Sequence, residues 1–173
     1  AEHLAAVAPG ASAPVVGSLP AYITVRELPT AVGDGLPVIG VADDTLAPVG
    51  FVPAGTFVVA GPPRSGRTTA IVTIVRAVVD VRPGVEPVLL GRRRSPLFGV
   101  AEWAGVGLGV ADIEPMAHAL AERVAATSTL RSLVVIESIA DLLGTGAEAA
   151  VHDLVRACRD ADALVVAEGE PGE

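Results

Sequence analysis

Residues Gly61 to Thr69 read GPPRSGRTT: two glycines five positions apart, then a cation and a pair of hydroxyls. Glycines at that spacing let backbone wrap closely around phosphate oxygens. A helix that starts just after them aims N–H groups and the positive end of its dipole at an anion. The pattern is that of a Walker A phosphate loop in which Arg67 stands where lysine is usual. Gly61, Arg64, Ser65, Gly66, Arg67, Thr68 and Thr69 are therefore the candidate phosphate-binding residues, and Thr68 takes the place whose hydroxyl holds magnesium. Lysine puts a compact charge between phosphates, whereas arginine is a larger planar fork with a different geometry. The exchange predicts weaker or altered binding of ATP with Mg2+ rather than its complete loss. The plain alternative is a glycine-rich strand-to-helix turn.

A phosphate loop that hydrolyses ATP also needs carboxylates at the tip of another strand. Leu133 to Ile136 is a short apolar run that ends on Glu137 and Ser138. The usual pattern is an apolar run, then Asp, then Asp or Glu: the first steadies hydrated magnesium and the second orients the attacking water. Glu137 is thus the candidate metal-side and catalytic residue, one methylene longer than usual, or else a polar cap on a strand end. Ser138 cannot polarise water as a carboxylate does, and Asp141, three residues on, is expected to have turned away. Glu168 follows a later apolar run, at the place beside the loop where a polar residue can sense the terminal phosphate. A carboxylate there repels an anion unless magnesium intervenes. Activity as an ATPase is therefore an open question, with weak or absent turnover expected.

Strands and helices must position these residues. Thr56 to Ala60 is expected as a buried strand before the loop and Thr68 to Val79 as the helix after it. Further strands are expected at Pro87–Leu90, Leu133–Ile136 and Ala163–Ala167, and further helices at Ile113–Ala126, capped by Asp112 with Pro115 in its first turn, and Ala147–Ala161. Near-continuous apolar strands alternating with helices indicate an α/β fold, a parallel sheet covered on both faces. Residues 91–112, rich in glycine, read as irregular. Upstream, Tyr22–Val25 is a strand candidate, and Val38–Val41 with Leu46–Val49 forms a hairpin around Asp43 and Asp44, an antiparallel flap before the core. Residues 1–20 have linker composition. Such a sheet is expected to carry at least one strand more than the sequence supplies.

Composition narrows the function classes. Half the chain is hydrophobic, enough for a core, and no window reaches the about 20 apolar residues of a membrane span. A net charge of −8 makes direct contact with nucleic acid unexpected, and Arg92, Arg93 and Arg94 form a run too short to reverse it, read as a solvated loop. The single cysteine, Cys158, reads as a small apolar residue on a helix. His3, His118 and His152 have no metal-ligand spacing. Gly105, Gly107 and Gly109 resemble a dinucleotide fingerprint only superficially, and Trp103 is expected to anchor the irregular stretch on the core.

Leu28–Pro29, Leu36 to Gly40, Leu46 to Val49, the loop Gly61 to Thr69, the strand Leu133 to Ser138 and the closing Val166 to Glu170 together resemble an FtsK/SpoIIIE-type P-loop ATPase domain. The resemblance is strongest to the degenerate C-terminal ATPase modules of the type VII secretion motor, and covers about residues 20–173. It implies a RecA-like three-layer sandwich over residues 21–173, one of several tandem domains, with the flap at its N-terminal side. It implies a cytoplasmic domain of a membrane-associated, homo-oligomeric motor for protein transport. Its implied partners are neighbouring ATPase domains of the same chain and secreted small helical substrate proteins. Phosphate contacts carry over to Gly61, Ser65, Gly66, Arg67, Thr68 and Thr69, and the metal-side role to Glu137. Arg67 and Ser138 depart from the active pattern, which favours a regulatory or substrate-engaging module. The competing expectation is a DNA-translocase motor domain of the same broad family. A nucleotide kinase or small GTPase fits poorly, for lack of a guanine-recognition motif or a lid-like arginine series.

Overall fold

The structure is a computed structural model that describes residues 17–126, 132–161 and 163–170. The elements in order are β1 (Ala31–Val32), β2 (Leu36–Val41), β3 (Pro48–Gly50), β4 (Gly55–Ala60), α1 (Arg67–Val81), β5 (Glu86–Gly91), β6 (Gly105–Leu108), α2 (Val110–Ala126), β7 (Ser132–Ile136), α3 (Ala147–Asp160) and β8 (Leu164–Gly169). Strands β4 to β8 form one five-stranded parallel sheet in the order β4-β8-β7-β5-β6.

Alternate residues of a strand point to opposite faces, so a strand that is apolar throughout needs cover on both. The central strands obey this. Val88, Leu90, Val134, Ile136, Val165 and Ala167 pack with Ile113, Ala117 and Leu120 of α2 and Ala150, Leu154 and Cys158 of α3. Leu89, Leu133, Val135, Leu164 and Val166 pack on the other face with Ile71, Ile74, Val75 and Val78 of α1. The result is three layers: α1, the sheet, then α2 and α3. Each fully buried Val, Leu or Ile contributes roughly 1.5–3 kcal/mol of hydrophobic stabilisation.

Ahead of the sheet, β1, β2 and β3 form an antiparallel sheet, with the turn at Asp43 and Asp44 joining the last two. This flap packs toward α1: Val38 is buried, and Phe51 just beyond β3 meets Phe57 of β4 edge-on at 4.9 Å. Residues 1–16 of the expected linker lie outside the described residues, and 17–20 are exposed without regular structure.

Four expectations are corrected. Tyr22–Val25 is not a strand: Tyr22 is exposed, and Val25–Glu27 is a 3-10 turn closed by Glu27, whose carboxylate accepts from Thr24 N and Oγ1 at 2.7 Å each. That local capping competes with strand formation. Strand β4 is half-buried rather than buried, because only β8 pairs with it and Val58 faces outward, 61% exposed. Residues 91–112 contain a strand, β6, despite their glycines; a Cβ on Gly107 would meet Asp112 O, Leu90 and Met116 at 3.3 Å, so glycine lets α2 sit close to the sheet. Helix α2 starts at Val110, because Gly109 turns the chain at φ +85° and accepts from Asp112 and Ile113 N. Asp112 is therefore inside the first turn rather than the cap, and Pro115 lies beyond that turn.

Trp103 anchors its stretch as expected: its Nε1 donates to Leu97 O at 3.2 Å and Phe98 O at 3.0 Å. His118 and His152 are exposed on helices, and Cys158 is buried. No helix among the described residues is long and apolar enough to cross a membrane.

Candidate functional site

In a parallel sheet the strands all end at one edge, and that edge gathers the candidate residues. β4 leads into the loop, β8 ends in Glu168 and Gly169, Glu137 directly follows β7, and Arg92 directly follows Gly91 at the end of β5. Strand alternation also sets the face. Glu168 follows Leu164 and Val166, and Glu137 follows Leu133 and Val135, so both carboxylates belong to the α1 side of the sheet.

The loop from Gly61 to Gly66 is tightly curled. Ser65 N donates to Pro62 O at 3.2 Å, and Arg64 and Gly66 adopt left-handed backbone at φ +66° and +92°. A left-handed conformation costs a residue like Arg64 about 1–2 kcal/mol, strain that concentrates at functional turns. Gly61 is buried, and a Cβ there would run into Ser65 Oγ, so the serine side chain keeps its present position only over a glycine. Ala70 N makes the first helical bond, to Gly66 O at 2.9 Å. The amides of Arg67, Thr68 and Thr69 therefore stand ahead of the helix ladder, where an anion is favoured. Thr68 is half-buried and Thr69 exposed in that turn.

Arg67 is engaged by the neighbouring strand. Its Nη1 donates to Gly169 O at 2.9 Å, its Nη2 reaches Glu170 Oε1 at 3.2 Å, and its Nε lies 3.1 Å from Glu168 Oε1. The Arg67 and Glu168 side chains are 16% and 6% exposed. Register explains the meeting: β8 pairs with β4 so that Glu168 stands opposite Val59 and Gly169 opposite Ala60, directly beside the start of the loop.

Glu137 is held by β5, not by the loop. Its Oε1 accepts from Arg92 Nε at 3.3 Å and Nη2 at 2.8 Å, and its Oε2 accepts from the Arg92 backbone N–H at 3.2 Å. The Glu137 side chain is 1% exposed and that of Arg92 is 52% exposed. Hydrogen bonding to Glu137 holds the Arg92 guanidinium above its ordinary pKa, against the opposing effect of its burial. Ser138 is in left-handed backbone at φ +57° and opens the 3-10 turn Ile139–Leu142, which carries Asp141 to an exposed position. Arg92 is the residue that sequence reasoning missed. Its place directly after an apolar strand was the available signal, but nothing in the chain order says that β5 lies beside β7.

The residues fit the two halves of magnesium–ATP differently. The curled loop and the α1 amides suit phosphate oxygens. The metal side does not fit, since Glu137 meets a guanidinium on one oxygen and a backbone N–H on the other, and a cation already neutralises it. Among the described residues no group of His, Cys, Asp and Glu gathers as a metal site.

No protein-family model matches the chain, and no curated protein is significantly similar to it in sequence. Solved structures are similar in fold. The cytoplasmic domain of the Thermomonospora curvata type VII secretion ATPase EccC superposes with a TM-score of 0.76 at 17% identity, over 94% of this chain and 22% of that one. T. curvata EccC ATPases 2 and 3, in complex with a signal sequence peptide, give 0.74 at 15% identity, over 94% and 34%. EssC ATPases 2 and 3 from Geobacillus thermodenitrificans give 0.64 at 16%, over 88% and 33%. The chain thus spans about a fifth to a third of these proteins. What the chain shares with these solved ATPase domains is their fold, a RecA-like P-loop three-layer sandwich, which in this chain carries an antiparallel flap on the N-terminal side.

Proposed function

We propose that residues 21–173 form a degenerate ATP-binding module of an FtsK/SpoIIIE-type motor in type VII protein secretion. It binds nucleotide weakly and hydrolyses it little or not at all. The observation that carries this is the engagement of Arg67 by Glu168, Gly169 and Glu170. The one cation of the loop that replaces the usual lysine is already paired with carboxylates, so a phosphate must compete for it. Ser138, in place of a second carboxylate, leaves attacking water without a base. Both departures point the same way.

The role is regulatory or substrate-engaging. Its partners are neighbouring ATPase domains of the same chain, copies of the motor in a homo-oligomer, and secreted small helical proteins, on the cytoplasmic side of a membrane-associated complex. The similarity to EccC solved with a signal sequence peptide supports the substrate class. An apolar groove of about 570 Å³ supports it too: Val58, Ile139, Leu143 and Val155 line it along the β4 edge, on the sheet face opposite α1. The net charge of −8 disfavours the DNA-translocase alternative. Steady-state ATP turnover by the isolated chain tests the proposal. Turnover near background is expected, and a rate on the order of 1 per second or more would show an ordinary motor domain.

A further inference from the structure

A buried carboxylate is costly unless it is paired and hydrogen-bonded, and something must balance Glu137. In ATP-hydrolysing phosphate loops the carboxylate at this strand tip works through a hydrated divalent cation. Here the balance is built into the chain. Among the described residues, the Glu137 carboxylate accepts three hydrogen bonds, all from Arg92: two from its guanidinium and one from its backbone N–H. Both guanidinium bonds go to a single carboxylate oxygen and are charge-assisted.

Geometry fixes the pair from both sides. Glu137 N donates to Leu90 O at 2.8 Å, which ties the tip of β7 to the end of β5. Gly91 then leaves the carboxylate room against the β5 backbone: a Cβ there would stand 2.7 Å from Glu137 Oε2. Any side chain at that position would push the carboxylate off the Arg92 amide. Arg92 itself is half exposed, so its guanidinium stands between the buried carboxylate and solvent. A divalent cation approaching Glu137 meets a fixed positive charge instead of water.

We propose that Arg92 fills the place of magnesium beside Glu137, so that any polyphosphate the loop takes is bound without a divalent cation. The polyphosphate half of this inference rests on the nucleotide-binding reading above; the Arg92 half does not. The charges of a metal-free ATP or pyrophosphate are then met by the curled loop, the α1 amides and whatever fraction of Arg67 leaves β8.

Metal rescue tests the Arg92 half with no nucleotide present. Thermal melts of wild type should be the same in Mg2+ and in EDTA. Arg92→Ala should melt lower in EDTA and recover most of the loss in millimolar Mg2+. The Arg92→Ala/Glu137→Gln double variant should melt near wild type and ignore the metal. It also supplies the decisive comparison if Arg92→Ala alone does not fold in EDTA. An Arg92→Ala protein that melts like wild type, or one that Mg2+ does not rescue, overturns the inference. Calorimetry tests the other half. ATP should bind wild type with an affinity that differs by less than about threefold between Mg2+ and EDTA. A gain of tenfold or more with Mg2+ overturns the metal-free claim and leaves the nucleotide reading standing. Silence in both conditions sinks the nucleotide reading, while the melts still decide the role of Arg92.

Discussion

Glu168→Gln removes one charge from the contact that holds Arg67 and keeps the side-chain shape. At the 3.1 Å separation of Arg67 Nε and Glu168 Oε1, two unit charges attract by about 5 kcal/mol at an effective dielectric constant near 20. Desolvation of a pair this buried cancels much of that, and the Gln carbonyl still accepts a neutral hydrogen bond. Arg67 also keeps Gly169 O and Glu170. The net loss should be about 1–3 kcal/mol, which in a domain of this size lowers Tm by roughly 3–10 °C. The same energy no longer restrains the guanidinium, and a negative charge has left the edge of the loop. ATP affinity should rise by about ten- to a hundredfold, at 1.4 kcal/mol per factor of ten. Calorimetry with ATP and thermal melts of the two proteins measure both effects. A clear fall in Tm with ATP affinity unchanged would mean that the ion pair stabilises the fold without closing the site. No change in either would mean that the pair contributes nothing, and the reasoning fails at its first step.

Other outcomes follow from the same structure. Gly91→Ala should destabilise the chain by about 1–3 kcal/mol in urea titrations, because the new Cβ stands 2.7 Å from Oε2 of the buried Glu137 carboxylate and displaces it from the Arg92 amide; a variant as stable as wild type refutes the packing argument. Burial pushes the Cys158 thiol up from 9.0 to about 11. The unfolded thiol ionises first as pH rises, so the native state binds more protons between about pH 9 and 11 and loses about 2–3 kcal/mol of stability there, a loss that Cys158→Ala should not show. Below pH 9 the contribution is complete, and alkylation of native Cys158 at pH 8 should be far slower than in urea; equal rates would contradict its burial.

Strand runs were legible wherever the sheet is buried on both faces, because Val88–Leu90, Leu133–Ile136 and Leu164–Ala167 leave a polar solvent face no room. The loop was legible as a pattern because a tight backbone curl demands glycine at Gly66 and close contact demands it at Gly61. β6 was hidden by the glycines that let α2 approach it. The edge position of β4 was hidden as well: Thr56–Ala60 is as apolar as a central strand, and apolarity does not reveal how many neighbours a strand has. The two ion pairs depend on strand order. Arg67 meets Glu168 because β8 lies beside β4, and Arg92 meets Glu137 because β5 lies beside β7, pairings across 101 and 45 residues that no local pattern announces.

The central claim is that this phosphate loop is intact in backbone and restrained in charge. Calorimetric titration of ATP into wild type and Arg67→Lys tests it most directly. A lysine cannot reproduce the forked contacts with Glu168, Gly169 and Glu170, and it restores the compact charge the loop is shaped for. Wild type should bind with a Kd on the order of 0.1–1 mM, and Arg67→Lys at least about tenfold more tightly. Micromolar or tighter binding by wild type, or silence from both proteins up to millimolar ATP, would contradict the account.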